Sequence, residues 1–79
     1  MLSDRANQLL DLEESHPGMT SAKLNLVYTM SPNPARHFQE LNAVIDDPEA
    51  LRERPVLVNR LLRQRARRLE HRRALLAHV

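Results

Sequence analysis

Apolar residues along this chain recur three and four positions apart, the spacing of one face of an α-helix. Ala6, Leu9 and Leu10 set the first such stripe. Ser3 can cap the helix, Asp4 suits its positive N-terminal end, and His16-Pro17-Gly18 stops it, so a helix is predicted over Asp4 to Ser15. Glu13 continues the same spacing but, with Glu14, is expected to stay in water. Leu24, Val27 and Tyr28 are the inward positions of a second helix, over about Ala22 to Thr29, capped by Thr20 or Ser21. Thr29-Met30-Ser31-Pro32 then reads as a short turn and a new start, with Ser31 as cap and Pro32 at the first helical position. Pro34 is tolerated within the first turn. This third helix runs to about Ile45, with Ala35, Phe38, Leu41, Val44 and Ile45 inward. Asp47 and Pro48 open a short fourth helix, which Arg54-Pro55 breaks. From Pro55 on nothing interrupts a helix of up to 25 residues, about 37 Å long.

Composition narrows the class without changing these elements. Leu, Ala, Arg, Gln and Glu dominate over β-branched and aromatic residues, which points to an all-α fold. With 79 residues and no cysteine, one small core must hold without disulfides or thiolate-bound zinc. The single glycine, Gly18, excludes phosphate-cradling loops of the P-loop or dinucleotide type. No apolar run reaches the ~18 residues of a membrane span. The start Met1-Leu2-Ser3-Asp4-Arg5 lacks the basic-then-apolar order of a signal peptide, so a cytoplasmic location is expected. The expected fold is a small helix-turn-helix domain of three to four helices over 1–54, followed by a long Arg-rich C-terminal helix over 55–79.

Charge is unevenly placed. Residues 1–50 carry three basic side chains against eight acidic ones, whereas residues 51–79 carry nine arginines against two glutamates. Such a basic arm suits a polyanion or an acidic partner.

Two helices crossing over a tight turn need an apolar first helix, an apolar plug after the turn, and a small then a large residue on the second helix. Leu24 and Tyr28, Met30, Ala35 and Phe38 fill those places in turn, and Thr29 takes the turn position where glycine is commonest. The recognition helix is then about 32–45. If Ala35, Phe38 and Leu41 are buried, Ser31, Asn33, Arg36, His37 and Glu40 share the opposite face. Arg bonds guanine bidentately, Asn bonds adenine, and Glu accepts from cytosine. Ser31 at the helix start can hold a phosphate with the backbone amides.

On the C-terminal helix, Val58, Leu61, Leu62, Ala66, Leu69 and Leu76 share one side, and Arg60, Arg63 and Arg67 form a ridge on the other. The first half is expected to dock on the domain and the second to project. Leu62, Leu69 and Leu76 repeat at seven, but Arg65 and Arg72 interrupt a coiled-coil seam. His16, His37, His71 and His78 are scattered, with no metal spacing, so no enzyme, metal or cofactor is expected.

The run from Phe38 to Leu51, FQELNAVIDDPEAL, with Pro55-Val56-Leu57-Val58-Asn59-Arg60-Leu61-Leu62-Arg63, resembles a family of small actinobacterial and actinophage helix-turn-helix proteins of unassigned function. That family shows Leu-Asn-Ala-Leu-Ile-Asp-Asp-Pro after an aromatic pair, and a Leu-Thr-Asp-Arg opening that Leu2-Ser3-Asp4-Arg5 resembles. Here His37 stands at the first aromatic position and Thr29 at the turn glycine. The resemblance implies a DNA-binding domain. The expected function is therefore sequence-specific binding of double-stranded DNA, as a small bacterial or phage transcriptional regulator, nucleoid-associated when bound. Arg60, Arg63 and Arg67 would neutralise phosphates. Two further partners stay open: a second copy through the C-terminal helix, and a host factor such as RNA polymerase docked by the acidic half or the Arg-rich helix.

Overall fold

The computed structural model describes residues 1–77, so Val79 and the predicted helix end beyond 77, with His78, lie outside the described residues. Five helices follow one another: α1 (Asp4–Ser15), α2 (Ser21–Met30), α3 (Pro34–Ile45), α4 (Pro48–Glu53) and α5 (Pro55–Ala77). No strand occurs among the described residues. The fold is all-α, with a long C-terminal helix.

Each start has a local cause. Ser3 accepts a hydrogen bond from the Ala6 amide at 3.1 Å, and Thr20 accepts one from the Lys23 amide at 3.2 Å. Asp47 Oδ1 accepts from the Glu49 amide at 2.9 Å ahead of Pro48. The start of α3 corrects the sequence reading. Asn33, not Ser31, is its cap, accepting from the Arg36 amide at 2.8 Å, and Pro34, not Pro32, is its first residue. The reason is steric: a residue before proline is pushed out of the helical region. Both Ser31 (φ −143°, ψ 149°) and Asn33 (φ −153°, ψ 155°) are accordingly extended.

Helix α3 lies at the centre and packs on α1, α2, α4 and α5. The core joins Leu2, Ala6, Leu9 and Leu10 to Leu41 and Ile45, and closes with Ala50, Leu57, Val58 and Leu61. Met30 and Phe38 pack against it half-buried. The first two turns of α5 therefore belong to the same core as α1 and α3, whereas every residue from Ala66 to Ala77 is exposed. Half of the longest helix has no tertiary cover.

Two inward assignments change. Tyr28 is exposed, and so is Ala35; His37 takes the buried place on α3 instead, with no accessible surface. Glu13, expected in water, is buried beside Lys23. That pair links α1 to the start of α2, and Lys23 Nζ also donates to the Gly18 carbonyl at 3.1 Å. Gly18 adopts φ +82°, the left-handed conformation that only glycine reaches without penalty.

Candidate nucleic-acid interface

The eight sequence-predicted residues separate into two groups, one structural and one on the surface. Ser31 is buried at the end of α2. Its hydroxyl accepts from Arg5 Nη2 at 2.8 Å and lies 3.3 Å from His37 Nδ1. Arg5 also donates to the Met30 carbonyl at 3.0 Å and, through Nε, to Glu40 Oε2 at 2.9 Å. A single α1 side chain thus holds the α2–α3 turn and the middle of α3 together. Sequence spacing gives no sign of this clamp, because Arg5 lies 25 to 35 residues from its partners.

The clamp removes Ser31, His37 and Glu40 from the expected base-reading face. Glu40 is half-exposed but committed to Arg5, whose hydrogen bond holds its carboxyl below the ordinary carboxylate value. His37 stands edge-on to Phe38, ring centroids 5.3 Å apart at 89°. It therefore fills the position where the family resemblance sets an aromatic residue, as a buried ring. Its Nε2 has no hydrogen-bond partner among the described residues.

Burial pushes the His37 imidazole below its ordinary value of 6.5, with Glu13 and Glu40 pulling against Arg5 and Lys23. The unfolded chain then binds a proton that the folded chain resists. Stability is fully present above the unfolded value of 6.5 and is lost as the pH falls from there through the lowered folded value. Thermal unfolding followed by helical circular dichroism should show Tm falling as the pH drops below about 6.5, and His37→Gln should flatten that slope. An equal slope in both proteins would assign it to other groups.

Arg60 is also structural. Its Nη2 donates to the Glu13 carbonyl at 3.0 Å and its Nε is buried, so it ties α5 to α1 and does not belong to the outward ridge. The remaining four, Asn33 and Arg36 on α3 and Arg63 and Arg67 on α5, are exposed.

The outward face of α3 is Ala35, Arg36, Gln39, Asn42 and Ala43, all exposed and at helical spacing. Arg36, Gln39 and Asn42 form a stripe along it, one guanidinium and two carboxamides. Gln39 and Asn42 are absent from the sequence-predicted face because Ala35 takes the place of His37 in the expected inward set.

Ion pairing redraws the charge map. Arg54 bonds Asp11 at 2.8 Å and also Glu14, Arg65 bonds Asp46 at 2.6 Å, and Arg52 bonds Glu49 at 2.9 Å. The Arg65 hydrogen bond holds the Asp46 carboxyl below its usual value. With Glu13 on Lys23 and Glu40 on Arg5, most of the acidic excess of residues 1–50 is already matched within the fold. Arg63, Arg67, Arg68, Arg72 and Arg73 are exposed and have no carboxylate partner among the described residues. Asn42, at the far end of the α3 stripe, shares one cleft with Arg65, Arg67 and Arg68; Arg36 and Gln39 do not line it.

A family model described as "Protein of unknown function (DUF3263)" matches residues 1–73. The chain belongs to this family. No curated protein and no solved structure matches it. The match of this DUF3263 chain spans the Arg5 clamp, the α3 stripe and all five unpaired α5 arginines. Among its described residues no group of histidines and carboxylates has the arrangement of a metal site, and no helix is long and apolar enough to cross a membrane.

Proposed function

We propose that this DUF3263 protein binds double-stranded DNA, with α3 in the major groove and the α5 arginines along the phosphates. The observation that carries this reading is the run of exposed arginines on α5, without carboxylate partners among the described residues, reaching Asn42 at one end of the exposed α3 stripe. Guanidinium and carboxamide groups are the side chains that bond guanine and adenine edges bidentately in the major groove. Exposed arginines without internal partners are free to displace counterions from phosphates, which gives affinity without sequence preference. Specificity and affinity then sit on different helices, and a small bacterial or phage transcriptional regulator is the role this division suits. The resemblance of the FQELNAVIDDPEAL run to actinobacterial and actinophage helix-turn-helix proteins supports the same role.

The test selects binding sites from random duplexes and then measures anisotropy on a selected and an unrelated duplex. The Arg36→Ala/Gln39→Ala variant should lose about 1–3 kcal/mol of discrimination per base contact while keeping its affinity for unrelated DNA. Selection that enriches no sequence, or a variant that discriminates as well as the parent, overturns the assignment of α3 as reader.

A further inference from the structure

The cleft that Asn42 shares with the α5 arginines has an apolar floor, which DNA does not fill. This open cleft of 690 Å³ lies between the α1–α2 loop, α3 and α5. Met19, Phe38, Leu41 and Leu61 supply its apolar floor, and Arg67 and Arg68 stand on its rim. Met19 is 63% exposed although it is fully apolar. The carboxylate that lines the cleft, Glu13, is already matched by Lys23. Further along α5, a second hollow is lined by Arg67, Arg68, His71, Arg72 and Leu75. The two share Arg67 and Arg68, so the hollows follow one another from Leu61 to Leu75, about 21 Å along the helix axis, with leucine at each end and guanidinium side chains between.

We infer that this groove docks an acidic amphipathic helix of a partner protein, about 14 residues long, with apolar side chains on the floor and carboxylates against Arg67, Arg68 and Arg72. A phosphate backbone has no apolar group to place over Met19 and Phe38. A second copy of this chain fits poorly for a reason of charge. Its uncovered helix, the distal part of α5, carries leucines among arginines and meets the rim with like charge. The apolar face of α1, the acidic helix, is already buried in its own core. The occupant must combine exposed leucine-type anchors with Asp and Glu, the helix-in-groove mode of recognition. This inference shares Arg67, Arg68 and Arg72 with the DNA reading but takes its selectivity from the apolar floor, which that reading does not use.

The probe is a fluorescein-labelled synthetic helix with leucines at positions i, i+3, i+4 and i+7 of its repeat and glutamates elsewhere. Its controls are a scrambled peptide of the same composition and a lysine-for-glutamate analogue. Titrated into the full chain without DNA, the striped acidic peptide should bind about tenfold or more tightly than the scrambled one. The basic analogue should not bind. Met19→Asp and Arg68→Glu alter exposed side chains and should leave the helical circular dichroism unchanged, yet each should weaken the striped peptide about tenfold. Amide shifts on binding should map to Met19, Phe38 and Leu61. Equal binding of striped and scrambled peptides, or full affinity in both variants, overturns the inference. So does sedimentation of the peptide-free chain as a dimer with those same resonances broadened, which gives the groove to a second copy.

Discussion

Replacing Lys23 by methionine should remove a large share of the stability of this fold. Lys23 and Glu13 are both almost wholly buried, and their ion pair ties the end of α1 to the start of α2. Methionine fills much the same volume but leaves the Glu13 carboxylate buried and unmatched. Breaking one side of a buried pair costs about 3–5 kcal/mol, whereas replacing both sides by packed apolar groups is about neutral or stabilising. A domain of this length has only about 4–12 kcal/mol in all. Urea unfolding should therefore show the Lys23→Met midpoint far below that of the parent, and Glu13→Leu/Lys23→Met restored to about the parent midpoint. The Arg60 bond to residue 13 survives in the double variant, because it is accepted by the backbone carbonyl. If the double variant is as unstable as the single, the pair is not isolated in energy and the Gly18 carbonyl contact matters more than the charge.

The second large effect concerns binding. Each arginine that neutralises a phosphate contributes about 0.9 to the slope of log affinity against log salt. Arg63, Arg67 and Arg72 are exposed and have no carboxylate partner among the described residues, so changing them to glutamine should leave the fold intact. The triple variant should lose about 2.7 from the slope, so that a fourfold rise in salt weakens it about fortyfold less than the parent. Anisotropy on one duplex across a salt series measures this directly. An unchanged slope would show that these arginines do not touch phosphate. Because Arg36 and Gln39 stay in place, the preference among sequences should persist while the overall affinity falls.

Boundaries in this chain were legible because proline and capping side chains mark them. Asp47 and Pro48 fix α4, Pro55 opens α5, and Ser3 caps α1, all through local chemistry that spacing alone reveals. The start of α3 was misplaced because two prolines compete there, and Pro34 prevails by forcing Asn33 out of the helix. The candidate site was much less legible. Periodicity gives the width of a buried stripe but not which polar residue at its edge is drawn inside. His37 and Glu13 lie on such edges, and each is buried because a partner from another helix reaches it: Ser31 for His37, Lys23 for Glu13. Arg60 and Arg63 look equivalent on a helical wheel. They part company because the Glu13 carbonyl at the end of α1 lies within reach of one and not the other. Long-range partners of this kind leave no mark in local spacing.

The uncovered half of α5 has a consequence for how that segment holds its shape. Starting a helix is the costly step, because several residues are fixed for the first hydrogen bond, and each later residue then adds on nearly even terms. Leu57, Val58 and Leu61 pin the first turns of α5 in the core, so the seed is permanently in place. The arginine-bearing remainder extends from it by propagation alone, through residues such as Arg, Leu, Ala and Glu that favour helix. Its far end can therefore melt and re-form turn by turn with temperature while the body stays folded.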